Sequence, residues 1–183
     1  MASFRGVWPI LYAFFDAQER LDRAAMRAQV EACIRGGAHG IAVLGLVTEF
    51  HKLTLVERRT IIDWVLEDVA GRVPVAVTVN EAGVAAALEV CRAAEAAGAA
   101  WLILQPPQMA GMNEAALVRF MGALAEGVSI PCGPQNNPAM MDVALSASAL
   151  RTLNRAHPQF RMMKGEGPIL YVKRLIEETE GAF

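Results

Sequence analysis

A lysine that closes an apolar segment can act as an amine nucleophile, and Lys164 stands in that place at the end of Phe160-Arg-Met162-Met163-Lys164. An ammonium held among apolar side chains has its charged form disfavoured, so its pKa is expected to fall and a neutral amine becomes available to attack a carbonyl. The same position equally suits a long-stemmed lysine that ends a strand and carries its charge to solvent, and spacing alone leaves both readings open. Two residues on, Glu166 is placed to face the same mouth and move protons. It is placed as well to be a carboxylate ahead of a helix opened by Pro168, where the macrodipole favours it. Gln135, in Gln135-Asn136-Asn137-Pro138, can orient a substrate or a water, because an amide donates and accepts hydrogen bonds but is no base near neutrality. Gly45-Leu-Val-Thr48-Glu49 and Gln105-Pro-Pro-Gln108 complete the polar clusters that follow apolar runs. Thr48 can bind a carboxylate or cap its own turn, and Glu49 reads as structural.

Other chemistries find little support. His39, His51 and His157 lack the spacing of a metal site. Cys33, Cys91 and Cys132 are odd in number, far apart and without Cys-x-x-Cys spacing, so three unpaired thiols and no metal are expected. Lys and Arg total 17 against 19 Asp and Glu, which leaves no large field of one sign for a nucleic acid or an anionic membrane. The start, Met1-Ala-Ser-Phe-Arg-Gly6, has no apolar stretch behind a basic opening, and no apolar run is long enough to span a bilayer. A cytoplasmic location is therefore expected. The pairs Met140-Met141 and Met162-Met163 read as fillers of core or interface gaps, Tyr171 as helix packing, and Arg58-Arg59 as a solvated helix face.

The elements that must position these groups alternate. Six short apolar runs, Gly6–Leu11, Gly40–Gly45, Val73–Val79, Ala100–Gln105, Ser129–Cys132 and Phe160–Lys164, read as strands. Helical stretches begin near Asp22, Thr54, Glu81, Asn113, Ser146 and Pro168, with apolar residues at helical spacing such as Val30 and Ile34, or Ile61, Val65 and Val69. Thr54-Leu-Val-Glu57 has capping-box spacing, and Gly36-Gly37, Gly71, Gly98 and Gly127 follow helices where a left-handed cap is needed. Continuous apolar strands alternating with helices imply a parallel sheet covered by helices. No Gly-x-Gly-x-x-Gly follows the first strand, so a (β/α)8 TIM barrel is favoured over an open doubly wound sheet. About six βα repeats are present where a complete barrel carries eight. Residues 1–183 are thus expected to form a single barrel domain that stops before a seventh strand. In such a barrel the chemistry gathers at the carboxyl ends of the strands, where the four polar clusters fall.

Several segments together resemble the dihydrodipicolinate synthase and N-acetylneuraminate lyase family of Schiff-base barrels, through nearly the whole chain. Gly6-Val-Trp-Pro9 with Leu21-Asp22 is similar to the family's opening strand and helix start. Gly45-Leu-Val-Thr48-Glu49 followed by Leu53-Thr-Leu-Val-Glu57-Arg58 resembles its Gly-Thr-Thr-Gly-Glu and Leu-Ser-x-x-Glu-Arg stretch. Val73-Pro-Val, Ala94-Glu-Ala-Ala-Gly98, Pro106-Pro107 and Ile130-Pro131 through Pro138 continue the match, and Lys164 falls where the family carries its Schiff-base lysine. The resemblance implies a lyase without metal or organic cofactor, a small 2-keto acid as substrate, and a homo-oligomer, commonly a tetramer.

Departures from the pattern shift the implied reaction. Leu46 and Val47 stand where synthase members have two adjacent hydroxyl residues, and Gln135 stands where they have the catalytic tyrosine, so that proton relay is missing. The carboxylate-gripping arginine would fall near Met140, and the tyrosine reached from a neighbouring subunit near Gln108. Gln135-Asn136-Asn137-Pro138, Ala144-Leu-Ser146 and Lys164-x-Glu166-x-Pro168 look more like the 2-keto-3-deoxy sugar-acid dehydratase branch. Dehydration or aldol cleavage of such an acid is the expectation, with Lys164, Gln135 and Glu166 catalytic and Gly45, Thr48 and Asn136 binding substrate. The missing relay also motivates an alternative of another class, a barrel relative without catalysis that serves as a small-molecule binding or assembly subunit.

Overall fold

The computed structural model describes residues 4–183, which divide into two compact units, residues 4–78 with Ala96–Ala100, and Val79–Glu95 with Trp101–Phe183. In the first unit, helix α1 (Arg23–Arg35) starts where Asp22 accepts hydrogen bonds from the amides of Ala24 and Ala25. Strand β1 (Ile41–Val43) follows, wholly buried. Two 3-10 turns, Leu46–Thr48 and Phe50–Lys52, then lead to helix α2 (Leu55–Val69). The capping box of Thr54 and Glu57 forms in both directions. Ile61, Val65 and Val69, one turn apart, are buried along one side of α2, each such burial contributing about 1.5–3 kcal/mol. Strand β2 (Val75–Val79) begins in this unit and pairs in parallel with β1, Ile41 opposite Val75.

The expected first strand is reduced to a single parallel bridge, Ile10 to Ala42. Pro9 lacks an amide proton and leaves only its carbonyl, which accepts from Ala42 at 2.9 Å, so the ladder cannot lengthen.

Helices α1 and α2 pack together, and an ion pair fastens them. Asp68, its side chain 3% exposed, accepts both terminal nitrogens of Arg23, while the Arg23 guanidinium also lies over the Trp64 ring at 5.1 Å. The Asp68 hydrogen bond, against burial, holds the Arg23 guanidinium above its ordinary pKa. Removing one partner of a fully buried pair costs about 3–5 kcal/mol, and the half-exposed arginine reduces this. Asp68→Ala should therefore lower stability by about 2 kcal/mol, read as a lower urea midpoint at unchanged m-value.

The second unit carries helix α3 (Val84–Ala96), strand β3 (Trp101–Leu104), helix α4 (Glu114–Glu126), strand β4 (Cys132–Asn136), helix α5 (Ala147–Ala156), strand β5 (Lys164–Gly165) and helix α6 (Ile169–Glu178). Strand β3 pairs in parallel with β4, and β4 in parallel with β5. Asn113 and Ser146 cap α4 and α5 through their side chains. Each strand of both units is followed by a helix, the alternation that makes the chain α/β. Helix α3 starts three residues after the expected Glu81. Gly37, Gly71 and Gly98 take the left-handed conformation foreseen for them, with φ of +82°, +73° and +97°. Gly36 and Gly127 do not, at φ −74° and −88°; there the helix ends through bonds from the cap amide back into the last turn.

Two further strands differ from expectation. Strand β4 extends through Gln135 and Asn136, although Gly133, Pro134 and two amides in a row read as loop. Strand β5 is only two residues long, because Arg161 and Met162 both direct their amides at the carbonyl of Cys132, at 3.0 and 3.2 Å. This two-against-one arrangement is a bulge, and it separates the Phe160 to Cys132 bridge from the regular pairing at Lys164. Among the described residues no helix is long and apolar enough to cross a membrane.

Candidate active site

Register brings Lys164 to Gln135. The parallel pairing sets Gln135 opposite Lys164 and Asn136 opposite Gly165, and the amide of Glu166 donates to the Asn136 carbonyl at 3.0 Å. Lys164 and Glu166, two residues apart across Gly165, both turn to one side of the strand. Their side chains meet as an ion pair, Nζ to Oε1, at 2.9 Å, with 17% and 33% of each exposed.

The second carboxylate oxygen of Glu166 is held as firmly. Gln135 Nε2 donates to it at 2.6 Å and Asn137 Nδ2 at 3.0 Å. Gln135 is fully buried, and its own carbonyl oxygen accepts from Gln105 Nε2 at 3.3 Å. Burial is the largest influence on Glu166 and pushes its pKa up. The hydrogen bonds from Lys164 and Gln135, the Lys164 charge and the Asn137 hydrogen bond outweigh it and hold the group below its ordinary 4.5. The surroundings of Lys164 are therefore polar where Phe160, Met162 and Met163 suggested an apolar mouth, and the lysine is half-buried against a carboxylate. Glu166 makes no bond to the first turn of α6, whose N-cap, Pro168, offers no side-chain cap either.

A depressed carboxylate stabilises the fold only while it is ionised. The unfolded chain binds the proton first, so stability from Glu166 is complete above about pH 4.5 and is lost as pH falls through the lower folded value. Glu166→Gln should consequently lose less stability than the parent chain between about pH 6 and about pH 3, measured by denaturant midpoints at each pH.

Asn136 has other business. Its Nδ2 donates to the Leu145 carbonyl at 2.9 Å and to the Tyr171 hydroxyl at 3.1 Å, while its Oδ1 accepts from the Leu145 amide at 2.8 Å. It thus clamps the segment after β4 and reaches α6. Tyr171, expected as packing, places its hydroxyl on this clamp, and burial raises its pKa.

Gly45 and Thr48 belong to the first unit. Gly45 opens the 3-10 turn, where an added Cβ would come within 2.9 Å of Ile10 Cγ2. Thr48 is buried; its hydroxyl donates to the Leu11 carbonyl at 2.6 Å and its amide to the Gly45 carbonyl at 3.0 Å. The hydroxyl proton is thus engaged within the protein. Glu49 pairs with Lys52 at 2.7 Å, and Val47 is exposed.

Gln105 and Asn137 were visible in the sequence only as members of polar clusters. The signal that singles out Gln105 is an amide directly after a wholly apolar strand, where burial demands a partner. The three cysteines have no disulfide; burial pushes the thiols of Cys91 and Cys132 up to about 12, which makes them poor nucleophiles. Among the described residues no three His, Cys, Asp or Glu side chains cluster to hold a metal ion.

The sequence profile of the Dihydrodipicolinate synthetase family matches residues 3–179. The chain is 34% identical over 178 residues to a 4-hydroxy-tetrahydrodipicolinate synthase of Thermus thermophilus, covering 96% of this chain and 59% of that protein. It is 32% identical over 171 residues to an L-2-keto-3-deoxyarabonate dehydratase of Azospirillum brasilense, covering 90% and 54%. Among solved structures it is similar to YagE, a prophage protein of Escherichia coli K12, in complex with pyruvate, with a TM-score of 0.92 at 26% identity, covering 98% of this chain and 60% of that one. The chain spans between 54% and 60% of the length of these three relatives.

Proposed function

The chain belongs to the dihydrodipicolinate synthetase family, and from that premise we propose that Lys164 is the amine of a lyase that forms a Schiff base with a small 2-keto acid. The observation that carries this reading is the Lys164 to Glu166 pair at 2.9 Å, its carboxylate held from behind by Gln135 and Asn137. An ammonium is not a nucleophile, and the neighbour that can take its proton is already in hydrogen-bond contact. Glu166 Oε1 accepts the proton and the neutral amine adds to the C2 carbonyl. Glu166 then returns the proton as the carbinolamine hydroxyl leaves as water, giving a protonated imine. That imine is an electron sink: the Glu166 carboxylate takes a C3 proton to give an enamine, whose electrons expel the C4 hydroxyl as it receives that proton and leaves as water in a dehydration. In a cleavage, the C4 hydroxyl loses its proton instead and the C3–C4 bond breaks, leaving an aldehyde and the enamine of pyruvate.

Gln135 orients Glu166 and the substrate, being unable to act as a base. Asn136 shapes the wall through its clamp on Leu145. An amide, Gln135, where synthase members carry the catalytic tyrosine favours a 2-keto-3-deoxy sugar acid over the synthase substrate, because an amide matches sugar hydroxyls as both donor and acceptor. No cofactor is needed, since the imine supplies the sink, and assembly as a homo-oligomer is part of the same reading.

The test is incubation with a 2-keto-3-deoxy sugar acid, followed by separate assays for water loss and for pyruvate release. Either product, absent with Lys164→Ala, supports the proposal. Neither product, together with no covalent adduct on borohydride reduction, overturns it.

A further inference from the structure

Gln105 lies at the far end of a directional chain that ends on Lys164. It follows β3 directly, is 3% exposed, and its backbone amide is fixed to the Val79 carbonyl at 2.9 Å. Its Nε2 donates to Gln135 Oε1, Gln135 Nε2 donates to Glu166 Oε2, and Glu166 Oε1 meets Lys164 Nζ, at 3.3, 2.6 and 2.9 Å in turn. A glutamine amide is nearly symmetric in shape and can present either end to a neighbour. Held by a donor on its carbonyl, Gln135 must present its NH2 group to Glu166. Turned round, it would set a carbonyl oxygen against a carboxylate oxygen, both acceptors.

We infer that Gln105 is a positioning residue that fixes the orientation of Gln135 and thereby keeps Glu166 an acceptor for the Lys164 proton. The inference rests on the imine-forming role of Lys164 for its purpose, while its geometry is independent of that role. The groups that face Glu166 are Lys164, which is charged, and Gln135 and Asn137, which are neutral; Tyr171 of α6 meets Asn136. A second carboxylate at position 105 would compete for the Gln135 NH2 group. A methionine there would keep the volume and remove the donor.

The experiment is a 13C NMR titration of the Glu166 carboxyl, assigned with Glu166→Gln, in the parent chain, Gln105→Glu and Gln105→Met. It is accompanied by thermal melts and by the pH profile of pyruvate trapping with borohydride. Gln105→Glu should raise the Glu166 midpoint by about one pH unit and Gln105→Met by about half a unit. The acid limb of trapping should move up by the same amounts. Folded Gln105→Met with the Glu166 midpoint and the acid limb both at the parent values would overturn the inference even if Gln105→Glu failed to fold. A parent chain that forms no adduct, with the midpoints shifted as stated, would overturn the imine reading and leave the positioning role supported.

Discussion

Replacing Glu166 by glutamine is expected to slow pyruvate trapping at neutral pH by about tenfold to a hundredfold. Two effects oppose each other. A positioned general base is worth about 10² to 10⁴ in rate, and glutamine removes that while keeping the size and, through its one amide oxygen, an acceptor for Gln135 and Asn137. The same change releases Lys164 from its ion pair, which for a pair with one partner a third exposed amounts to about 1 kcal/mol, less than tenfold in rate. The lost base therefore wins. The residual rate should climb with pH as hydroxide takes over the proton, so that parent and variant converge in alkaline solution, whereas the parent keeps its rate down to the depressed pKa of Glu166. Stopped trapping time courses from pH 5 to 9 check this; equal rates at neutral pH would assign Glu166 to packing.

The largest expected effect on folding comes from Gly133→Ala. A Cβ at this position would lie 1.4 Å from the Met162 carbonyl oxygen, and the obstacle is backbone, which has no rotamer to yield. The bulge at Arg161 and Met162 would have to lift off β4, with loss of the bonds to Cys132 and of the register that sets Gln135 opposite Lys164. A cost of about 4 kcal/mol or more is expected, a large part of the 5–15 kcal/mol by which domains are stable. The variant should be largely unfolded by circular dichroism at ambient temperature, or, if it folds, lose pyruvate trapping together with the β4–β5 pairing. Gly71→Ala, open to solvent but at positive φ, provides a milder control of about 1 kcal/mol.

Helix starts were legible because their chemistry is local: Asp22, Thr54 with Glu57, Asn113 and Ser146 each satisfy amides within three residues, and all four caps form. The apolar strands β1, β2 and β3 were legible for the same reason. Strand β4 was legible only as Ser129–Cys132, and its extension to Asn136 was not, since Gly133 and Pro134 carry the signature of a turn, and Gln135 and Asn136 are polar. What makes them strand residues lies some thirty positions away on either side, in Ile103 and Leu104 opposite Gly133 and Pro134 and in Lys164 and Gly165 opposite Gln135 and Asn136. The missing length of the first strand follows from Pro9, readable once it is asked which amides the strand can offer.

The site shows the same division. Lys164 and Gln135 were identifiable, Lys164 through resemblance more than spacing, but their pairing depends on a parallel register that a two-residue strand and a bulge define. The polar character of the lysine's surroundings is not legible in the sequence because Phe160, Met162 and Met163 are its neighbours along the chain, while Glu166, Gln135 and Asn137 are its neighbours in space. Gln105 had no local mark beyond its place at the end of an apolar strand. Its role emerges only through Gln135.

Whether Lys164 forms the imine is decided by reducing the protein with borohydride in the presence of pyruvate and mapping the product by peptide mass spectrometry. A covalent adduct is expected on the peptide containing Lys164, absent without pyruvate and absent in Lys164→Ala. No adduct in the folded parent chain, or an adduct of equal yield in Lys164→Ala, would contradict it.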